Sequence, residues 1–200
     1  MSVVQDSAIE HNYGRLVLIP RVADGVMDDG TDGIPLSLGA GTPGFAEMIA
    51  AAEQAGLALD TNDEVYFLID REDELWDADL DEDVRVILKC TSKKAGTHAG
   101  IDFQVDLKGV AADQALSDAK VSPDASLTMP VMTITDGAGK SAEVEHHANA
   151  PGVFKDDRWL MVAVTLTDKG DGAADDLFLN RVVIRYTRAI CHPSGRRQIT

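Results

Sequence analysis

Apolar residues recur along this chain with two different rhythms, and the last third shows both. From Trp159 to Leu166 the residues are apolar at both parities, which predicts a strand covered on both faces. Asp168 to Asp176 is acidic and glycine-bearing, the chemistry of a turn. Leu177 to Thr187 then returns as a strand, with Phe178, Val182, Ile184 and Tyr186 on one face and Arg181 and Arg185 on the other. The pair is expected to lie adjacent and against further sheet.

Upstream the alternation is cleaner. Val84, Val86, Leu88 and Cys90 point one way, and Asp83, Arg85 and Lys89 the other, with Ile87 out of step. Ile101, Phe103, Val105 and Leu107 alternate strictly with Asp102, Gln104, Asp106 and Lys108. One dry and one wet face per strand predicts an antiparallel hairpin. Ala111 to Ala119 reads as a short excursion, Ser126 to Thr135 and Lys140 to His147 as strands around an Asp136–Gly139 turn, and residues 149–152 as a break.

The first sixty residues are less regular. Arg15 to Val22 predicts a strand, confined to an edge by Pro20. Three Asp-Gly steps between Asp24 and Gly33 predict solvated turns; their spacing does not match an EF-hand Ca²⁺ loop. Thr42 as N-cap, Pro43 at N1, an apolar stripe of Phe45, Met48, Ile49 and Ala52, and Gly56 as terminator predict one short helix. The fold expected is mainly β, an antiparallel, jelly-roll-like β-sandwich of about eight strands with one short N-terminal helix. Residues 1–60 read as an arm, 61–190 as the sandwich and 191–200 as a basic flexible tail.

Charge narrows the partners. A formal net charge of −16 argues against nucleic acid and anionic membrane. Residues 60–83 hold twelve carboxylates against Arg71, with Asp77, Asp79 and Asp81 alternating. Residues 181–200 carry Arg181, Arg185, Arg188, Arg196 and Arg197 and no acid. Opposite extremes of this kind predict self-association by charge complementarity. The apolar stripe of Phe45, Met48 and Ile49 is expected to join that contact. Cys90 and Cys191 are too few for a disulfide framework and too far apart for a zinc pair, and the first residues lack the features of a secretory signal. Both points fit a reducing cytoplasm.

No catalytic residue, metal site or cofactor is expected. Gly39-Ala-Gly-Thr-Pro-Gly44 spells G-x-G-x-x-G, but no βαβ pattern follows it, so it reads as a glycine-rich bend. His146 and His147 are neighbours on a strand and so point to opposite faces. His11, His98 and His192 fall in an arm, a turn and a tail. No serine sits in a nucleophile elbow.

From about Asp73 to Arg188 the order of features resembles the jelly-roll virion proteins of tailed bacteriophages, of the capsid decoration or cement type. The stretches that carry the resemblance are Glu74 to Lys89, Gly100 to Asp113, Asp157 to Thr167 and Ala174 to Tyr186. The resemblance implies a non-enzymatic virion structural protein, assembled in the host cytoplasm. Its implied partners are the major capsid protein and copies of itself, as a homotrimer. A second reading is a carbohydrate-binding β-sandwich module of a tail or head fibre; such a module is expected to present a platform of exposed aromatics, which are only 5% of this chain, with Trp76 and Trp159 its only tryptophans.

Overall fold

The structure is a computed structural model that describes residues 13–18, 36–38, 44–49, 54–70, 84–111, 123–148, 159–174 and 176–187. These residues form twelve strands and no α-helix. In chain order they are β1 (Tyr13–Leu18), β2 (Leu36–Leu38), β3 (Gly44–Ile49), β4 (Gln54–Leu59), β5 (Glu64–Asp70) and β6 (Val84–Ser92). They continue as β7 (His98–Val110), β8 (Ala125–Thr128), β9 (Met132–Ile134), β10 (Lys140–Ala148), β11 (Trp159–Asp168) and β12 (Leu177–Thr187).

Two antiparallel sheets of six strands each pack face to face. The first, sheet A, runs β10-β6-β12-β4-β3, with β1 also on β12. The second, sheet B, runs β2-β5-β11-β7-β8, with β9 also on β7. Each strand of the closing segment thus lies in the middle of its own sheet. β12 is bordered by β6 on one edge and by β1 and β4 on the other, while β11 lies between β5 and β7.

Neither the expected hairpin nor the expected adjacency of the closing pair forms. β6 and β7 lie in different sheets, as do β11 and β12. So do β4 and β5, and β9 and β10. Each of these connections is an arch that carries the chain from one sheet to the other. Alternation alone cannot distinguish the two outcomes, because strands facing one another across the core bury the same parity as strands paired edge to edge. Among the described residues two pairs of consecutive strands lie side by side and antiparallel, β3 with β4 and β7 with β8.

The β3–β4 pair replaces the predicted helix. Phe45 pairs with Leu57 and Ala46 with Gly56, so the residue read as the helix terminator lies mid-strand. The physical reason is β12. Leu57 and Leu59 pair with Leu179 and Leu177 and are fully buried, a period of two that the core rewards over the helical propensity of Ala50, Ala51 and Ala52.

The sandwich interior is filled by the inward faces of both sheets. Val84, Val86, Leu88 and Cys90 from β6 meet Ile101, Phe103, Val105 and Leu107 from β7, with Val162, Val164, Val182 and Ile184 among the central strands. One strand departs from the expected parity. The β6–β12 register shifts between Leu179 and Arg181, so that Leu177, Leu179, Val182 and Ile184 all face the core. This β-bulge turns Phe178 to the outer face, where it is nonetheless buried, with the Lys93 Nζ 5.1 Å from its ring centroid. Ile87, out of step in the sequence, pairs with Val183 on the same outer face, and both are buried.

Candidate functional site

The outer face of sheet B gathers the polar and aromatic groups that the core excludes. On β11 the inward residues Leu160, Val162, Val164 and Leu166 are fully buried, which turns Trp159, Met161, Ala163 and Thr165 outward. On β7 the same alternation turns out Asp102, Gln104, Asp106 and Lys108, each half-buried. β5 adds Glu64 and Tyr66, and β8 adds the exposed Ser126 and Thr128.

Register places these side chains in rows across the sheet. One row reads Tyr66, Ala163, Asp106, Ser126; the next reads Glu64, Thr165, Gln104, Thr128. Met161 lies beside Lys108 one step further along, and Trp159 stands at the end of β11 opposite Asp70 and Val110. Ala163 is the smallest side chain of its row and sits between Tyr66 and Asp106, 3% exposed. A short side chain on the central strand, flanked by longer polar ones, marks the lowest point of that row.

Hydrogen bonds hold the flanks. Gln104 Nε2 donates to Asp106 Oδ1 at 3.0 Å, and Lys108 Nζ meets Asp124 Oδ1 at 2.8 Å while Gly109 N donates to Asp124 Oδ2. Tyr66, 8% exposed, bonds to the Glu64 carboxylate. Burial, that bond and the charges of Glu64 and Asp106 together push the phenol above its ordinary range. The face therefore offers carboxylate and amide acceptors, amide and ammonium donors, hydroxyls and an indole.

A second grouping has the outline of a nucleophile and its base. Ser92 Oγ lies 2.7 Å from His98 Nδ1, and His98 Nε2 lies 2.7 Å from the Lys169 carbonyl. A carbonyl only accepts, so Nε2 carries the proton and Nδ1 accepts from the Ser92 hydroxyl, which in turn accepts from Lys94 N. Both residues are 0% exposed, so no substrate reaches them. The arrangement is a lock. It ties the β6–β7 arch to the β11–β12 arch, and Gly172 leaves the space that the imidazole fills, since a Cβ there would collide with the ring. Gly170, at φ +65°, lies so close to the backbone of Ala99 and Gly100 that a side chain is excluded. Asp171 closes the corner by accepting from Ala99 N and pairing with Lys94, which hold its carboxyl below the usual range. Sequence reading put His98 in a turn; it is the first residue of β7, and nothing in its neighbours announces the lock.

The residues expected to make intermolecular contacts are distributed otherwise. Arg181 pairs with Glu143 at 2.9 Å, and Arg185 shares Glu145 with Arg85, at 3.6 and 3.1 Å, across the outer face of sheet A. Their charge is answered within the chain. Phe45, Met48 and Ile49 lie on β3. Asp77, Asp79, Asp81, Arg188, Arg196 and Arg197 lie outside the described residues, as do Trp76 and all but Gly44 of the G-x-G-x-x-G stretch. His146 and His147 pair with Val86 and Arg85 on β10, on opposite faces of the strand. Cys90 is buried, which pushes its thiol up. Among the described residues no cluster of histidine, cysteine or carboxylates could hold a metal ion, and no helix is long and apolar enough to cross a membrane.

No family model and no curated protein matches the sequence. Solved structures do. The CBM22-2 xylan-binding domain of Xyn10C from Paenibacillus barcinonensis aligns over 80% of this chain and 95% of its own, at 13% identity and a TM-score of 0.46. A CBM36 carbohydrate-binding module in complex with calcium and xylotriose aligns over 74% and 92%, at 16% identity and a TM-score of 0.39. The CBM22-1–GH10 modules of xylanase 10B from Clostridium thermocellum align over 72% of this chain, which spans 24% of that protein's length, at 12% identity and a TM-score of 0.40. These neighbours overturn the expected virion decoration protein and, with it, major capsid protein and a homotrimer as partners. The first two are named as a xylan-binding domain and a carbohydrate-binding module; the described part of this chain is a β-sandwich without an assembled, accessible catalytic group.

Proposed function

We propose that this chain is a non-catalytic, jelly-roll-like module that binds a polysaccharide on the outer face of sheet B. The observation that carries the reading is the row structure of that face. A central strand with Ala163 at its lowest point is flanked by Tyr66 and Glu64 on one side and by Gln104, Asp106 and Lys108 on the other. Sugars present hydroxyls that both donate and accept, with apolar ring faces between them. They are matched by half-buried side chains of mixed donor and acceptor character beside an indole. Trp159, at the end of β11, supplies the stacking surface. Among the described side chains sheet A offers no such face, because its outward arginines are already paired with Glu143 and Glu145.

Xylan is the first ligand to try, since it is the polysaccharide named for the family 22 domain above. Isothermal titration of xylohexaose, mannopentaose and cellohexaose against the full chain is expected to give saturable binding of at least one of them. Trp159→Ala is expected to weaken that ligand about fivefold or more, the loss of one stacking contact on the order of 1 kcal/mol. Unchanged affinity in Trp159→Ala would remove the indole from the site, and absence of binding to all three would count against the reading.

A further inference from the structure

We infer that Asp106 sets the charge class of the ligand, so that the face takes a glycan without acidic groups and turns away polyuronates. This deepens the proposed glycan reading and rests on it.

Asp106 stands beside the lowest point of its row, next to Ala163 across the β7–β11 pairing. One of its oxygens accepts from Gln104 Nε2 at 3.0 Å, a neutral donor that orients the carboxylate without cancelling its charge. Asp102 lies four residues away on the same face of the same strand, with one carboxylate oxygen buried and unpartnered. Glu64 stands across β11, in register with Thr165, which in turn faces Gln104. The cation of this face among the described residues is Lys108, and it is committed to Asp124 at 2.8 Å with its side chain 16% exposed.

A uronate carboxyl laid on this face would meet fixed negative charge with no free described cation to answer it. Juxtaposed like charges at a desolvated contact cost several kcal/mol. A neutral hydroxyl in the same place donates to Asp106 instead. The carboxylate is thus an acceptor for one class of sugar and a barrier to the other.

The test compares whichever of the three neutral oligomers above binds best with hexagalacturonate on the full chain by titration calorimetry at about 0.05 M salt. The comparison is repeated with Asp106→Asn, which keeps an oxygen for Gln104 but carries no charge. Thermal melting of the variant confirms that it folds. The wild type is expected to bind the neutral oligomer and to show no measurable heat with the uronate. Asp106→Asn is expected to raise the ratio of uronate to neutral affinity by about tenfold or more. Raising salt towards 1 M, where the Debye length falls to ~3 Å, should narrow the wild-type difference. Equal binding of both oligomers by the wild type would overturn the inference and leave the glycan reading standing. A ratio unmoved by Asp106→Asn would overturn the assignment to this residue. Binding of neither oligomer would bring down both together.

Discussion

Tyr66 and Cys90 have in common that burial makes their charged forms costly. Tyr66 is held up by desolvation first, then by its bond to Glu64 and the nearby carboxylates; Cys90 is held up by desolvation. A group that keeps its proton more tightly when folded stabilises the fold fully below its unfolded pKa and loses that contribution as pH rises. The windows open near pH ~8.5 for the thiol and ~10 for the phenol and run upward, each costing about 1.4 kcal/mol per pH unit while its window lasts. Melting temperature is therefore expected to fall steeply above pH 10, and less steeply in Tyr66→Phe and in Cys90→Ala. A slope identical in all three proteins would contradict the burial described for these groups. What was legible at this scale was parity. Cys90, Phe103 and Val105 were placed in the core by alternation and are there. His98 and Phe178 were misplaced, because a distant carbonyl holds the first and a β-bulge turns the second, and neither cause lies in the local pattern.

Strands were easier to find than their partners. β6, β7, β10, β11 and β12 were all visible as alternation or apolar runs, since each buries a face in one core. Their assignment to sheets was not visible, because an arch between sheets and a turn within one use the same glycine and aspartate chemistry. The Gly44–Leu59 hairpin was read as a helix for a related reason. Phe45, Met48, Ile49 and Ala52 satisfy a helical stripe, and β12, which makes the strand preferable, lies more than a hundred residues away in sequence. β7 carries the strongest prediction at this scale, being the thirteen-residue strand that lines the core on one side and the proposed site on the other. Phe103→Ala removes one of its largest fully buried side chains and is expected to cost ~3–5 kcal/mol in chemical denaturation. A cost below about 1 kcal/mol would mean that the ring is not packed in the core.

The described residues of the molecule form two sheets with outer faces of different character. On sheet A Arg85, Arg181 and Arg185 are paired with Glu143 and Glu145, and Phe178, Ile87 and Val183 are buried on the same face. On sheet B the outward charges stand in rows beside an indole and a phenol, the face proposed to take a polysaccharide. The components of that face were in the sequence as the polar half of an alternation, Asp102 to Lys108. Which strands would lie beside them depended on the topology, so Tyr66 and Trp159 could not be joined to them beforehand. The most direct measurement is an amide chemical-shift titration of the isotopically labelled chain with xylohexaose, or with whichever neutral oligomer binds best. The predicted result is that shifts concentrate on residues 64–66, 102–108 and 159–165, with residues 85–91 and 181–185 of sheet A unmoved. Shifts confined to sheet A, or no shifts at saturating ligand, would contradict the account.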